Sequence, residues 1–102
     1  MYTIIRGTTP TIVYTFDTVS VLDISVAYLT ISNKCNVCIE KSISEAIIGD
    51  NSVSWVLTQE ETLGMDADTM TAMVNWKLID GTRGVSPKVQ FVVAKNSKEE
   101  VI

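Results

Sequence analysis

The chain has 102 residues, a hydrophobic fraction of 46% and a formal net charge of −4. The length predicts one domain with its own core, and the composition excludes an intrinsically disordered chain. The acidic balance and the eight scattered basic residues argue against a nucleic-acid partner, because affinity for phosphates depends on Lys and Arg.

The first residues carry no recognisable targeting signal. Residues 1–6 lack a basic region followed by an apolar run, and no apolar stretch approaches the roughly 20 residues that span a bilayer. We therefore expect a protein that is made and folded in a cytoplasm, has no membrane partner and begins with its two cysteines reduced.

Alternating apolar and polar residues predict strands from the start of the chain. Residues 2–6 form a first short strand, and the segment 7–10 interrupts it with a glycine and a proline. Because proline cannot donate to a ladder, this break predicts an edge strand that pairs first with one sheet and then with the other. The next strand, residues 11–17, directs three side chains to one face: Ile12, Tyr14 and Phe16.

The second quarter of the chain predicts a hairpin. Residues 18–23 form a loop that tucks its apolar side chains under the end of the sandwich, and Ile24–Asn33 is a strong strand. A turn at Asn33-Lys34 leads to a return strand over residues 37–41. Residues 42–51 either continue this strand with a bulge or cross between the sheets, and they end in a Gly-Asp-Asn turn.

A core strand that runs into one helical turn follows. Over residues 52–57, apolar side chains at Val53, Trp55 and Leu57 alternate with mostly small polar ones. Thr58 lies three residues before Glu61, which is the spacing of a capping box and predicts a short helix from residue 59.

The last third predicts two further strands. Residues 69–79 form the longest strand, and Asp80-Gly81 is a hairpin turn whose loop extends through residues 82–84, as far as Pro87. Residues 88–94 form the last strand, with three inward side chains: Val89, Phe91 and Val93. We assign residues 1–95 to one β-sandwich domain and residues 96–102 to a short polar C-terminal tail.

These elements predict an all-β fold: an antiparallel β-sandwich of about seven to eight strands with one short helical turn. Trp55 and Trp76 both fall on inward faces, and we expect them to meet in the core.

The sequence offers little for catalysis. It has no histidine, which removes Ser-His-Asp and Cys-His chemistry, and it has no glycine-rich phosphate-binding motif. We therefore predict that the protein is not an enzyme and has no catalytic, cofactor-binding or metal-binding residues. A small hydrolase is a distant alternative. It is disfavoured because no nucleophile in the sequence is paired with a base.

Cys35 and Cys38 form a C-x-x-C pair. A redox pair is disfavoured because the motif lies in a predicted hairpin, and a zinc site is disfavoured because the other ligands are missing. Two ordinary thiols near a turn are the favoured interpretation. A cross-strand disulfide is geometrically conceivable, although cytoplasmic folding argues against it.

Four carboxylates cluster after the core strand: Glu60, Glu61, Asp66 and Asp68. A calcium loop or a paired-carboxylate hydrolase would use such a cluster, but the glycine and distal glutamate of an EF-hand are missing. Helix capping explains Glu61, and the helix dipole explains Glu60. We expect no ion site here.

Several strands are apolar on both faces. Val56, Met73 and Val92 would then form outward patches, which mark association surfaces when they are large. Scattered outward apolar residues are also normal, and the two interpretations stay open. Among the tyrosines, Tyr14 is predicted to be core, whereas Tyr2 and Tyr28 could stack on sugars.

Four stretches resemble one known family. They are Arg6-Gly7-Thr8-Thr9-Pro10, which is similar to an Arg-Gly-Asp-Thr-Pro opening, Ala27-Tyr28-Leu29-Thr30-Ile31, the Leu-Thr-Gln-Glu-Glu-Thr segment within residues 56–63, and Asp80-Gly81-Thr82. They resemble the N-terminal domain of phage baseplate upper proteins and its single-domain relatives in phages and prophages of gut bacteria. The resemblance covers nearly the whole chain, and its motifs are structural.

The resemblance implies an immunoglobulin-like sandwich in a virion, made in the bacterial host cytoplasm. Such a domain attaches one tail or baseplate protein to another, usually in an oligomer, and it has no catalytic residues. Two-part relatives continue into a coiled or receptor-facing region, whereas this sequence ends at Ile102, which favours an accessory or adaptor role. Thr8 replaces an aspartate of the pattern, which weakens a charge-based contact there. A carbohydrate-binding or adhesin-like module on the same scaffold is the alternative function.

Overall fold

A computed structural model describes residues 2–17, 19–33, 36–65 and 68–102, and these residues form two facing β-sheets. Their strands are β1 (Tyr2–Ile5), β2 (Thr11–Thr15), β3 (Ile24–Asn33), β4 (Asn36–Ser42), β5 (Ile47–Ile48), β6 (Ser52–Val56), β7 (Thr69–Leu78), β8 (Arg83–Val85) and β9 (Val89–Ala94). Helix α1 (Gln59–Leu63) and two single 3₁₀ turns, Val21–Asp23 and Ile43–Glu45, lie in the connections.

The larger sheet has the strand order β1-β9-β7-β3-β4, with β8 also paired to β7, and the smaller sheet has the order β2-β6-β5. In the larger sheet, β9, β7, β3 and β4 take the places of strands G, F, C and C′ of an immunoglobulin fold. In the smaller sheet, β2, β6 and β5 take the places of strands B, E and D. The predicted all-β sandwich is confirmed, with nine strands in the described residues. One pairing departs from the antiparallel pattern, because β1 runs parallel to β9.

The predicted sheet switch at residues 7–10 is confirmed. β1 pairs with β9 in the larger sheet, and β2 pairs with β6 in the smaller sheet. Gly7 has a φ of 84°, a left-handed conformation that a side chain would strain, so glycine allows the sharp turn between the two sheets.

The core lies between the sheets and follows the predicted alternation. Val53, Trp55 and Leu57 are fully buried. The inward faces of β3 and β7 add Ala27, Leu29, Ile31, Met70, Ala72 and Val74 to this core. The prediction that Trp55 and Trp76 meet is wrong: the Trp76 ring packs against Tyr14 and Phe16, with ring centroids 5.6 and 5.1 Å away.

The segment after Asp80-Gly81 is not a loop. Residues 83–85 form β8, which pairs with Asn75–Lys77 of β7. The indole of Trp76 lies directly over Gly84, where a Cβ atom would collide with it. Gly84 therefore leaves space for an aromatic ring from the neighbouring strand. In the sequence alone, this glycine looks like part of a turn.

Two further connections can now be assigned. The segment 42–51 crosses between the sheets, because β5 pairs with β6 and not with β3 or β4. In the loop before β3, Val21 is buried as expected, whereas Leu22 is exposed. Val89 points inward as predicted, because it lies directly opposite the buried Ala72, but its side chain is 44% exposed. No helix in the described ranges is long and apolar enough to span a membrane.

Candidate functional site

The buried hydroxyl of Thr62 fastens α1 to the sheet switch. Its oxygen accepts a hydrogen bond from the Gly7 amide at 3.0 Å and donates one to the Thr8 carbonyl at 2.8 Å. The Leu57 amide donates to the Pro10 carbonyl at 2.9 Å. Two of the stretches that resemble phage baseplate domains are therefore in direct contact, and their shared role is to hold the chain where it changes sheets.

Arg6 extends this attachment to the C-terminal residues. Its guanidinium donates to the Leu63 carbonyl at 2.7 Å and forms an ion pair with Glu99 at 3.3 Å. The amide side chain of Asn96 donates to the Arg6 carbonyl, and Gln59 exchanges two hydrogen bonds with the backbone of Ile102. The segment assigned as a polar tail therefore contacts the end of the sandwich that carries α1.

The capping box at α1 is confirmed. Thr58 accepts from the amide of Glu61, and the Glu61 carboxylate accepts from the amide of Thr58 at 2.8 Å. Lys41, on β4, forms an ion pair with Glu61 at 2.9 Å and also donates to the Val56 carbonyl. Burial acts to raise the pKa of Glu61, but the hydrogen bond from Thr58 and the charge of Lys41 outweigh it and lower the pKa below its ordinary value.

Two of the carboxylates near α1 are thus used for structure. Glu61 is engaged by the cap and by Lys41, and Asp68 accepts from the amide of Thr69 at the start of β7. Among the described residues, no three carboxylate or thiol side chains converge as a metal site would require. Asp66 lies outside the described residues, as does Cys35, and for Cys38 only its backbone position in β4 is described.

In the part of the chain that the structure describes, the outer face of the smaller sheet carries no charged side chain. It consists of the outward residues of β2, β6 and β5, which we call the neutral face: Thr11, Val13, Thr15, Ile47, Ser52, Ser54 and Val56. Val13, Ile47 and Val56 are 58%, 61% and 44% exposed. The small and β-branched neutral side chains of this face contrast with the net charge of −4 on the whole chain.

β2 is an edge strand of this sheet. The bonds that continue its ladder, from Leu57 to the Pro10 carbonyl and from Phe16 to the Asn51 carbonyl, place the even-numbered residues towards β6. Since an antiparallel strand alternates its backbone groups, the N–H and C=O of Thr11, Val13 and Thr15 point to the other side. In the described part of the chain, no strand pairs with that side. β2 also lacks the charges that usually protect an edge.

An apolar groove of about 430 Å³ lies beneath this edge. One wall is the edge of β2 with Ile12 and Tyr14, and the other comes from β1 and β9 with Tyr2, Ile4 and Phe91. Among the described residues, the lining has no charged side chain, and the hydroxyl of Ser86 is occupied by the Val74 amide and the Pro87 carbonyl.

The three residues predicted to form outward patches lie on two different sheets. Val56 belongs to the neutral face, whereas Met73 and Val92 are half-buried on the outer face of the larger sheet. The sequence did not single out Val13 and Ile47, because strand alternation alone does not show which outward residues become neighbours. Tyr14 packs in the core as predicted, and Tyr2 and Tyr28 are 74% and 42% exposed.

Comparisons with protein-family models, curated proteins and solved structures found no match. The likeness to phage baseplate domains therefore rests on the motifs in the sequence.

Proposed function

We propose that this protein is a non-enzymatic structural component of a phage or prophage particle, a tail or baseplate accessory or adaptor protein. In this role it binds other tail or baseplate proteins through protein–protein contacts, in an oligomer, after synthesis in the cytoplasm of the bacterial host. The observation that carries the proposal is the neutral face with its adjoining free edge at β2. The sequence motifs shared with baseplate domains supply the virion setting.

The chemistry of the surface fits an assembly role. An adaptor must bind through side chains that lose little when water is removed, and Thr, Ser, Val and Ile lose far less than Asp, Glu or Lys. The neutral face provides this composition over three neighbouring strands. The hydroxyls and backbone edge can supply directional hydrogen bonds to a partner.

Purified particles provide the direct test. The gene is deleted from its phage or prophage, particles are isolated on a density gradient, and their proteins are identified by mass spectrometry. We expect the protein in wild-type particles and defective tails or baseplates in the deletion strain, with rescue by the intact gene. Its absence from particles would refute the virion role. Size-exclusion chromatography with light scattering checks self-association, and a strict monomer at high concentration would contradict the oligomer.

The alternative function is a carbohydrate-binding or adhesin-like module, which the exposed rings of Tyr2 and Tyr28 favour. Tyr2 shares the inward parity of Ile4, whereas Tyr28 lies on the outward face of β3 between Ala27 and Leu29. The two rings therefore belong to opposite faces of the larger sheet, and each would have to bind a sugar alone. A glycan array in which no sugar binds would exclude this function.

A further inference from the structure

We propose that the groove between β1 and β2 is an acceptor site for a lone extended segment of a partner protein. The segment would add as a strand to the free edge of β2 and place alternate apolar side chains in the groove. This inference deepens the proposed docking function and rests on it for the origin of the partner.

The first support is the unused backbone of β2. Thr11, Val13 and Thr15 direct their N–H and C=O groups away from β6, in a strand made of β-branched and aromatic residues. An incoming strand would exchange both hydrogen bonds with residues at such positions. This is the usual chemistry of β-strand addition, in which main-chain bonds give affinity and side-chain pockets give specificity.

The second support is the width of the two sheets. The main order of the larger sheet has five strands and the smaller sheet has three. The groove is bounded by β1 and β9 on one side and by β2 on the other. The part of the larger sheet that the smaller sheet leaves uncovered therefore lies beyond the outer edge of β2. Two strands occupy about 10 Å, which leaves room for an added strand over β9 and β1.

The same geometry selects the occupant. A second copy that paired through its own β2 would bring its larger sheet to the same side, where the projecting β1 and β9 of the two copies would meet. A lone segment has no second layer behind it and avoids this collision. The described residues that line the groove are uncharged, so the segment should be uncharged where it lies in the groove, because a buried charge would have no partner among them.

The test uses the full chain, labelled with nitrogen-15, and two synthetic capped probes of matching chemistry. They are Ser-Val-Ser-Trp-Val-Leu and Val-Gln-Phe-Val-Val-Ala, copies of residues 52–57 and 89–94, each flanked by Gly-Ser. At about 1 mM peptide, we expect the amides of Thr11, Val13 and Thr15 to exchange with solvent about tenfold more slowly. Control peptides with lysine at the apolar positions should give no such protection.

Val13→Pro removes the central outward N–H and leaves the bonds of its neighbours to β6 in place. We expect peptide binding to weaken by about tenfold, while the Ile12 and Tyr14 amides stay protected. Val13→Lys is a second variant in case the proline disturbs the strand. We expect it to weaken binding as well, because lysine on an edge strand of natural proteins prevents pairing with another chain. Ile79→Lys, an exposed apolar position that belongs neither to the neutral face nor to the groove lining, is the matched control and should bind normally.

Three results would overturn the inference: no protection with either uncharged peptide, equal binding by both Val13 variants and the wild type, or protection that depends on protein concentration without peptide. The last would assign the edge to a second copy. If the inference alone fails, the protein remains in particles but binds no peptide. If the proposed function alone fails, peptides bind at β2 but the protein is absent from particles.

Discussion

Replacing Thr62 by valine tests how the sheet switch is held. Valine keeps the shape of the buried side chain but removes the hydroxyl, which leaves the Gly7 amide and the Thr8 carbonyl without their partner. An unpaired buried polar group costs about 1–3 kcal/mol, and Thr8 is exposed enough for water to offset part of its loss. We therefore expect the free energy of unfolding to fall by about 2–4 kcal/mol, from a total of about 5–15 kcal/mol.

Thr62→Ser is the matched control. Serine keeps the hydroxyl and loses one buried methyl group, which should cost about 0.5–1.5 kcal/mol. Threonine, serine and valine have similar helix propensities, so the difference between the two variants reports the hydroxyl. Urea denaturation followed by tryptophan fluorescence at neutral pH gives both values, and hydrogen exchange at the Gly7 amide gives a local readout.

A valine variant as stable as the serine variant would refute the reasoning. The Gly7 amide and Thr8 carbonyl would then be hydrated once the hydroxyl is lost, and the contact between α1 and the switch would rest on apolar packing alone.

Three other substitutions test separate features of the fold. Trp55→Ala should lower the free energy of unfolding by about 3–5 kcal/mol through the cavity it leaves, and an almost unchanged denaturation midpoint would show that this strand is not central. Glu61→Gln removes the charge that faces Lys41. Because the folded pKa of Glu61 is lowered, its stabilising charge is fully present above the ordinary glutamate pKa of about 4.3 and is lost as the pH falls through the folded value. The stability difference between wild type and this variant should therefore shrink in urea titrations at falling pH, and a constant difference would contradict the ion pair. Gly84→Ala places a methyl group against the Trp76 ring and should cost about 1–3 kcal/mol in thermal or urea unfolding, whereas unchanged stability would mean that the ring moves aside freely.

Local patterns predicted most of the secondary structure. The bounds predicted for Ile24–Asn33 coincide with β3, and Thr58 and Glu61 form the predicted capping box. Both are short-range signals: the pleat of a strand alternates side chains between two faces, and a cap satisfies amides within one helical turn. For the same reason, the sequence predicted the break between β1 and β2 from a glycine and a proline alone.

Long-range partners were harder to predict. Thr62 contacts Gly7, which is 55 residues away along the chain, and nothing in the local sequence of α1 indicates that contact. Gly84 looked like part of a turn, whereas it lies beneath the Trp76 ring in a strand pair. The prediction that Trp55 and Trp76 meet was wrong, because the inward direction of a side chain does not determine which layer of the core it reaches.

The sequence by itself determined the alternation, the turns, the helix cap and the absence of histidine chemistry, because these depend on neighbouring residues and on composition. Only the tertiary structure decided the sheet order, and with it the candidate site. Among the described residues, β2 pairs with β6 on one side alone, which leaves an edge open, and the packing of three strands against five leaves a groove beneath that edge. These features arise from strand pairing over long distances in the chain, which side-chain alternation does not encode.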